Sequence, residues 1–240
     1  MSSVFNNIRT AVFYFFLSFW TVTFPTLMLL VIWFIPFRYR HQALVGTWSR
    51  VAIALCRVIC GIRWKVYGMD NIPNQPCVII SNHQSTWETF FLQTIVSPQT
   101  QVLKKELLSI PFFGWVLRTT KPIAIDRKDP RAAMQRVRKL GLKSLANQVS
   151  VLIFPEGTRN PHGKLGKFSR GGASLACTSG VGVLPVAHNA GQFWPHKSWV
   201  KKPGTIEVFI GEAIKTDGKG PAEVNNEARE WIENILSKAG

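Results

Sequence analysis

The chain has 240 residues, a length that suits one domain with a modest additional segment. Apolar residues make up 46% and charged residues 18%, which excludes an intrinsically disordered chain, and four cysteines are too few for a disulfide scaffold of this length. The 29 lysines and arginines against 13 acidic residues give a net charge of +16, which predicts an anionic partner: nucleic acid, acidic lipid or a phosphorylated substrate.

The N-terminal segment is apolar, and residues 11–37 carry no charge. About 20 helical residues cross a bilayer core, so this segment is long enough for a spanning helix. Pro25 in its middle leaves open a kinked, re-entrant insertion. A signal peptide is disfavoured, because the apolar run is too long and no cleavage signal follows it. Four arginines after the segment, against one before it, predict that the rest lies on the cytoplasmic side (Arg38, Arg40, Arg50 and Arg57, against Arg9).

Residues 44–66 mix apolar side chains with arginines, which predicts an interfacial helix whose arginines reach lipid headgroups. The alternative is a core helix of the following domain. Nucleic acid is the rival anionic partner, but the chain has no zinc-finger spacing, no RNA-binding motif and no long basic run. The apolar N-terminus therefore favours a membrane carrying anionic lipid, with no nucleic acid partner.

Beyond residue 67, short apolar runs alternate with helical patterns. Strands are predicted at residues 78–80, 122–125, 149–154, 183–187 and 206–210, and helices at 86–95, 132–148 and 173–178, with a last helix opening at Pro221. This alternation predicts an α/β fold with a mainly parallel sheet flanked by helices. We therefore expect a membrane-anchoring segment over residues 1–66 and an α/β domain over residues 67–240.

Two polar clusters follow predicted strands, at residues 81–88 and 155–159. Ligands of parallel sheets bind beyond the carboxyl ends of the strands, so the clusters predict one site. His83 is the candidate general base, because a histidine with an ordinary pKa of about 6.5 can accept a proton at neutral pH. Glu88 is the local carboxylate that could support it. Ser85 and Glu88 also match a capping box, which would give Glu88 a purely structural role.

Five motifs occur in a characteristic order: NHQSTWE (residues 82–88), KKEL with IPFFG (104–107 and 110–114), IDR (125–127), FPEGTR (154–159) and LPVA (184–187). This order closely resembles the lysophosphatidic acid acyltransferases over roughly residues 71–211. The resemblance implies transfer of a fatty acyl group from acyl-CoA or acyl carrier protein to the sn-2 hydroxyl of 1-acyl-sn-glycerol-3-phosphate. The hydroxyl would attack the thioester directly, without an acyl-enzyme, and neither metal nor cofactor is expected.

The resemblance also assigns roles to residues. His83 matches the catalytic base, and Glu88 stands where the family usually has aspartate, so the carboxylate is one methylene longer. The acceptor-binding motif is matched by Glu156, Gly157, Thr158 and Arg159. Phosphate contacts are expected from Lys104 or Lys105, with Arg127 as a further candidate, although a solvated loop would also explain the two lysines. Pro185 is expected to shape an apolar wall for the acyl chain.

Other polar residues are expected to be structural or exposed. His188 follows a predicted strand and is expected to be a structural histidine, and His162 and His196 are expected to face solvent. A basic aromatic segment either touches lipid headgroups or forms an ordinary exposed loop (Trp194, Lys197, Trp199, Lys201 and Lys202). Two alternatives to the main function stay open: acylation of another lysolipid, and a membrane-surface lipid-binding protein without turnover.

Overall fold

The structure is a computed structural model that describes residues 2–126 and 128–238. Its centre is a seven-stranded sheet of order β1-β7-β6-β2-β5-β3-β4. Strand β7 is antiparallel to β6, and every other neighbouring pair is parallel. The strands are β1 (Ile62–Tyr67), β2 (Val78–Ser81), β3 (Gln99–Lys104), β4 (Ile123–Ile125), β5 (Ser150–Ile153), β6 (Val183–His188) and β7 (Gly204–Ile210). The predicted α/β fold with a mainly parallel sheet is confirmed.

Helices cover both faces of this sheet. They are α1 (Ser2–Val31), α2 (Phe37–Arg40), α3 (Thr47–Cys60), α4 (Trp87–Ile95), α5 (Phe113–Arg118), α6 (Pro130–Ala146), α7 (Gly171–Ser179) and α8 (Pro221–Lys238). Helices α1, α3 and α4 share one apolar core with the sheet, and α6, α7 and α8 share the other. Strands β2 and β5 are buried along their whole length, which explains why their sequences are continuous apolar runs.

The helix predicted over residues 44–66 is shorter than expected. Helix α3 ends at Cys60 because Gly61 adopts a left-handed conformation, with φ of 70°, and its N–H caps the carbonyls of Arg57 and Cys56. The chain then enters β1, which lies at the edge of the sheet beside β7. The expectation of one helix through Val66 is therefore wrong. The division of the chain after residue 66 stays a prediction.

Two helical stretches, Val4–Phe34 and Phe37–Cys60, are long and apolar enough to cross a membrane, judged by length and composition alone. Helix α1 continues through Pro25. Its inner face packs Phe13 into the core, while its outer face exposes Phe15, Phe19 and Leu30 by 68%, 61% and 71%. An apolar face of this extent indicates contact with a membrane or a partner.

Candidate active site

The loop between β2 and α4 carries His83 and is held in place by contacts between Asn82 and His188. The Asn82 side chain donates to the His188 carbonyl at 2.9 Å and accepts from its backbone N–H at 3.1 Å. The His188 ring contacts the carbonyl of Asn82 through Nε2 at 2.9 Å, and it is buried. This agrees with the expected structural role of His188, which anchors the loop to β6.

His83 and Glu88 are in direct contact. The Nδ1 atom of His83 lies 2.9 Å from Oε1 of Glu88, and both side chains are buried. The same oxygen accepts the backbone N–H groups of Gln84 at 3.0 Å and Ser85 at 2.7 Å. One carboxylate oxygen thus holds the start of α4 and the imidazole together, so the two interpretations of Glu88 are compatible. Because a carboxylate only accepts, Nδ1 carries the proton and Nε2 is left as an acceptor.

The charge of Glu88 is stabilised although the side chain is fully buried. Burial raises the pKa of this carboxyl, but His188 nearby and the hydrogen bonds from His83 and Ser85 outweigh it, so that the pKa lies below its usual value. Glu88 is therefore ionised at neutral pH.

A second loop, after β5, meets the His83 loop. Glu156 accepts the backbone N–H of His83 at 2.7 Å and that of Gly166 at 2.7 Å, and it also accepts the Asn160 side chain. The backbone N–H of Asn160 donates to the backbone carbonyl of His83 at 2.8 Å. Burial raises the pKa of Glu156, and these donors counteract it only in part. Glu156 therefore joins the two loops, and acceptor binding by this side chain stays a prediction.

Gly157, Thr158 and Arg159 follow in the same loop. Gly157 has φ of 68°, and open space surrounds the position of a Cβ atom, so the backbone conformation is what favours glycine here. Thr158 and Arg159 line the same cavity as His83. The structure thus brings together an imidazole and a guanidinium from loops more than 70 residues apart in sequence.

The predicted phosphate ligands differ in their placement. Lys104 ends β3, lines the cavity and forms an ion pair with Glu106 at 3.3 Å. Lys105 is paired with Asp126 and is not among the described lining residues. Arg127 lies outside the described residues. Both lysines are about half exposed, so their ion pairs are weak and can exchange for a ligand.

The cavity has a volume of about 630 Å³ and a mainly apolar wall. Leu17 and Pro25 of α1, Trp48 of α3 and Phe113 of α5 contribute to this wall. The His83 ring stacks on Phe154, with 4.3 Å between the ring centroids. Such a volume suits a ligand of lipid or cofactor size.

Pro185 is not among the described residues that line this cavity. It pairs with Ile80 in the centre of the sheet, and its ring lies beside Gly211. The expectation that it shapes the acyl wall is not supported by this position.

The loop after β6 is more buried than the sequence predicts. His196, expected in solvent, lines the cavity beside His83 and Arg159. Partial burial and the positive charges of Lys197 and Arg159 hold the pKa of His196 below its usual value. Trp194 and Lys201, expected at headgroups or in an exposed loop, are 3% and 2% exposed. They are buried because α1 packs over them, a tertiary contact that leaves no local signal in the sequence.

Comparison with known proteins decides the family. The family model described as Acyltransferase matches residues 63–189, which is more than half of the chain. The chain belongs to this acyltransferase family. The match runs from the edge strand β1 to the residue after β6, so it contains the His83 loop and the Arg159 loop of this acyltransferase.

Individual relatives agree with this assignment. A Pseudomonas aeruginosa 1-acyl-sn-glycerol-3-phosphate acyltransferase is 51% identical over 241 residues, covering 99% of this chain and 93% of its own. A human 1-acyl-sn-glycerol-3-phosphate acyltransferase beta is 32% identical over 68% of this chain, and the match spans 60% of the human protein. The crystal structure of the Thermotoga maritima 1-acyl-sn-glycerophosphate acyltransferase, PlsC, superimposes with a TM-score of 0.82 at 24% identity, covering 100% of this acyltransferase and 98% of that chain. The resemblance to the lysophosphatidic acid acyltransferases is thereby confirmed, and the last comparison confirms the fold.

Proposed function

We propose that this acyltransferase moves a fatty acyl group from an acyl thioester to the sn-2 hydroxyl of 1-acyl-sn-glycerol-3-phosphate, giving phosphatidic acid. The observation that carries the proposal is the contact at 2.9 Å between His83 and the buried Glu88, with His83 lining one mainly apolar cavity together with Arg159. The Pseudomonas and human relatives bear the name of this activity, which supports the choice of acceptor.

In the proposed reaction, Nε2 of His83 accepts the proton of the sn-2 hydroxyl as its oxygen attacks the thioester carbonyl. A new C–O bond forms, and the imidazolium is stabilised by the ionised Glu88. The tetrahedral intermediate then collapses, the C–S bond breaks, and the leaving thiolate takes the proton back from His83. A thioester carries a good leaving group, so a positioned base worth about 10²–10⁴ in rate suits this step.

The proposed acceptor phosphate is held by cations near the base. Arg159 offers a planar fork that suits two phosphate oxygens, and Thr158 lies beside it in the cavity wall. Lys104 adds a point charge at the cavity, with Lys105 and Arg127 as further candidates. The backbone of Gly157 allows close approach, and Glu156 holds the loop against His83.

We also propose that the outer face of α1 lies in a bilayer containing anionic lipid, with the α/β domain on the cytoplasmic face. The exposed apolar side chains of α1 and the arginines after it support this orientation. Lysolipid would then reach the cavity from the membrane, because α1 forms part of its wall. The donor is acyl-CoA or acyl carrier protein, since both are acidic and suit the charge of +16.

The test uses the purified full chain in vesicles, supplied with an acyl-CoA and a panel of lysolipids. Free thiol and phosphatidic acid are measured together, and we expect both to form with 1-acyl-sn-glycerol-3-phosphate. His83→Ala should fold normally, as judged by its melting temperature, and lower kcat by about 10²–10⁴. Preference for another lysolipid would contradict the proposed acceptor, and the absence of thiol release with every acceptor and both donors would favour a lipid-binding protein.

A further inference from the structure

A second, smaller hollow of about 370 Å³ lies beside the catalytic cavity. We call it the cationic hollow and define it by the polar side chains that line it: Gln84, His162, Gln192, His196, Lys197 and Lys202. No residue role described so far uses it.

The cationic hollow adjoins the proposed base. Gln84 is the residue after His83, and the backbone N–H of Gly191 donates to its side chain at 3.3 Å, which fixes it in the wall. His196 lines both the hollow and the cavity that contains His83 and Arg159. The two spaces therefore meet at the His196 side chain, with His83 on one side and the lysines on the other.

The lining of the hollow suits an anion. Lys197 and Lys202 are exposed, and no acidic side chain is among the described residues that line it. The Nδ1 atom of His162 is buried and has no hydrogen-bond partner among the described residues. This contrasts with Lys104 and Lys105 on the other loop, which have carboxylate partners.

The thioester has two ends with opposite requirements. Its acyl chain needs an apolar wall. The larger cavity, which also contains Arg159, supplies such a wall. Its thiol end carries a hydrophilic arm that must extend from His83 toward water, and the cationic hollow is the adjoining polar space. Resting on the function proposed above, we propose that the cationic hollow binds the phosphorylated pantetheine arm that acyl-CoA and acyl carrier protein share.

The test removes the two lysines together, as Lys197→Ala with Lys202→Ala. Initial rates are measured with palmitoyl-CoA, with palmitoyl-acyl carrier protein, and with the palmitoyl thioester of N-acetylcysteamine, which lacks the phosphate. We expect KM for both phosphorylated donors to rise about tenfold, because two exposed phosphate contacts are lost. KM for lysophosphatidic acid and kcat/KM for the neutral donor should stay unchanged.

The matched control is Lys139→Ala with Lys143→Ala, which removes the same charge from exposed positions on α6, on the other face of the sheet. It should leave every KM unchanged. Calorimetric binding of 4′-phosphopantetheine and of pantetheine provides a readout without turnover. The double variant at Lys197 and Lys202 should weaken binding of the first about tenfold and leave the second unaltered.

Several outcomes would overturn the proposal. A rise in KM for lysophosphatidic acid alone would assign the hollow to the acceptor, and equal losses with the neutral donor would assign it a structural role. An effect on only one phosphorylated donor would locate the contact in the nucleotide or the carrier protein rather than in the shared arm. If wild-type protein binds 4′-phosphopantetheine through these lysines yet makes no phosphatidic acid, the function proposed above is contradicted. The assignment of the hollow to the phosphopantetheine arm is then still supported.

Discussion

At the scale of single residues, Oε1 of Glu88 is the acceptor of three hydrogen bonds. It accepts two backbone N–H groups and the imidazole of His83, whereas the buried Oε2 has no hydrogen-bond partner among the described residues. An amide in place of the carboxylate would keep the accepting oxygen and place its NH2 group where Oε2 now lies. The substitution therefore separates the geometry of the loop from the charge beside the imidazole.

We predict that Glu88→Gln folds normally but lowers kcat by about 10²-fold or more, because a neutral amide does not stabilise the imidazolium. KM for the lysolipid should change little, since the side chain does not line the cavity. Steady-state rates and melting temperature in detergent measure both effects.

Glu227→Gln is the control for this substitution. Glu227 is exposed on α8 and forms an ion pair with Lys219, which precedes this helix. It should retain full activity. Near-normal turnover of Glu88→Gln would mean that Glu88 serves only the start of α4.

At the scale of elements, helix α1 fixes the loop over residues 193–203. The Lys201 backbone N–H donates to the Thr10 hydroxyl at 3.0 Å, and its ammonium lies 4.8 Å from the ring centroid of Tyr14 and 5.1 Å from that of Trp194. Carbonyls of Ser198 and Trp199 accept from Nζ at 3.3 and 2.6 Å. The same loop brings His196 to the cavity, so α1 helps to complete the site from outside the sheet.

The burial of Lys201 makes the stability of the protein depend on pH. Burial lowers the pKa of Lys201 from 10.5 to about 8, so between these values the unfolded chain binds a proton that the folded chain has lost. Stability therefore rises with pH across this window, and below it Lys201 contributes no pH dependence because both states bind the proton. We predict that the unfolding free energy of the wild type rises relative to Lys201→Met between pH 8 and 10.5, by about 3 kcal/mol at most.

Melting curves in detergent at pH 7 to 10.5 measure this difference, and Lys202→Met, at an exposed neighbour, is the control. Parallel curves for wild type and Lys201→Met across the window would show that Lys201 keeps its proton in the folded state.

The same elements show what the sequence could predict. The strands at residues 78–80, 149–154 and 183–187 were predicted because burial on both faces requires continuous apolar runs. Strands β1 and β3 were missed because each mixes polar or charged residues with apolar ones, as in IRWKVY and QTQVLK. The His83 and Arg159 loops were predicted from their position after strands. The approach of His196 was not, because it depends on the packing of residues 193–203 against α1.

At the scale of the whole molecule, exposed apolar side chains occur on α1 and also around α5. Leu107 and Ile110 are exposed before α5, Trp115 is exposed within α5, and α5 packs against α1. The catalytic cavity is lined by residues of both elements. The surface that would touch lipid and the cavity that would receive it are therefore built from the same helices, so loss of membrane contact should reduce access of a lysolipid from the bilayer.

We predict that Phe15→Ser with Phe19→Ser weakens binding to vesicles by about 10²-fold, since two aromatic side chains lose their apolar surroundings. These positions are one helical turn apart on the outer face of α1 and are 68% and 61% exposed, so the fold should not depend on them. Flotation with vesicles containing anionic lipid measures the binding, and activity on lysolipid dissolved in detergent should remain. Met69→Ser with Met134→Ser removes exposed apolar side chains from the α/β domain and should leave flotation unchanged. Equal flotation of the α1 variant and the wild type would mean that another surface holds the protein at the membrane.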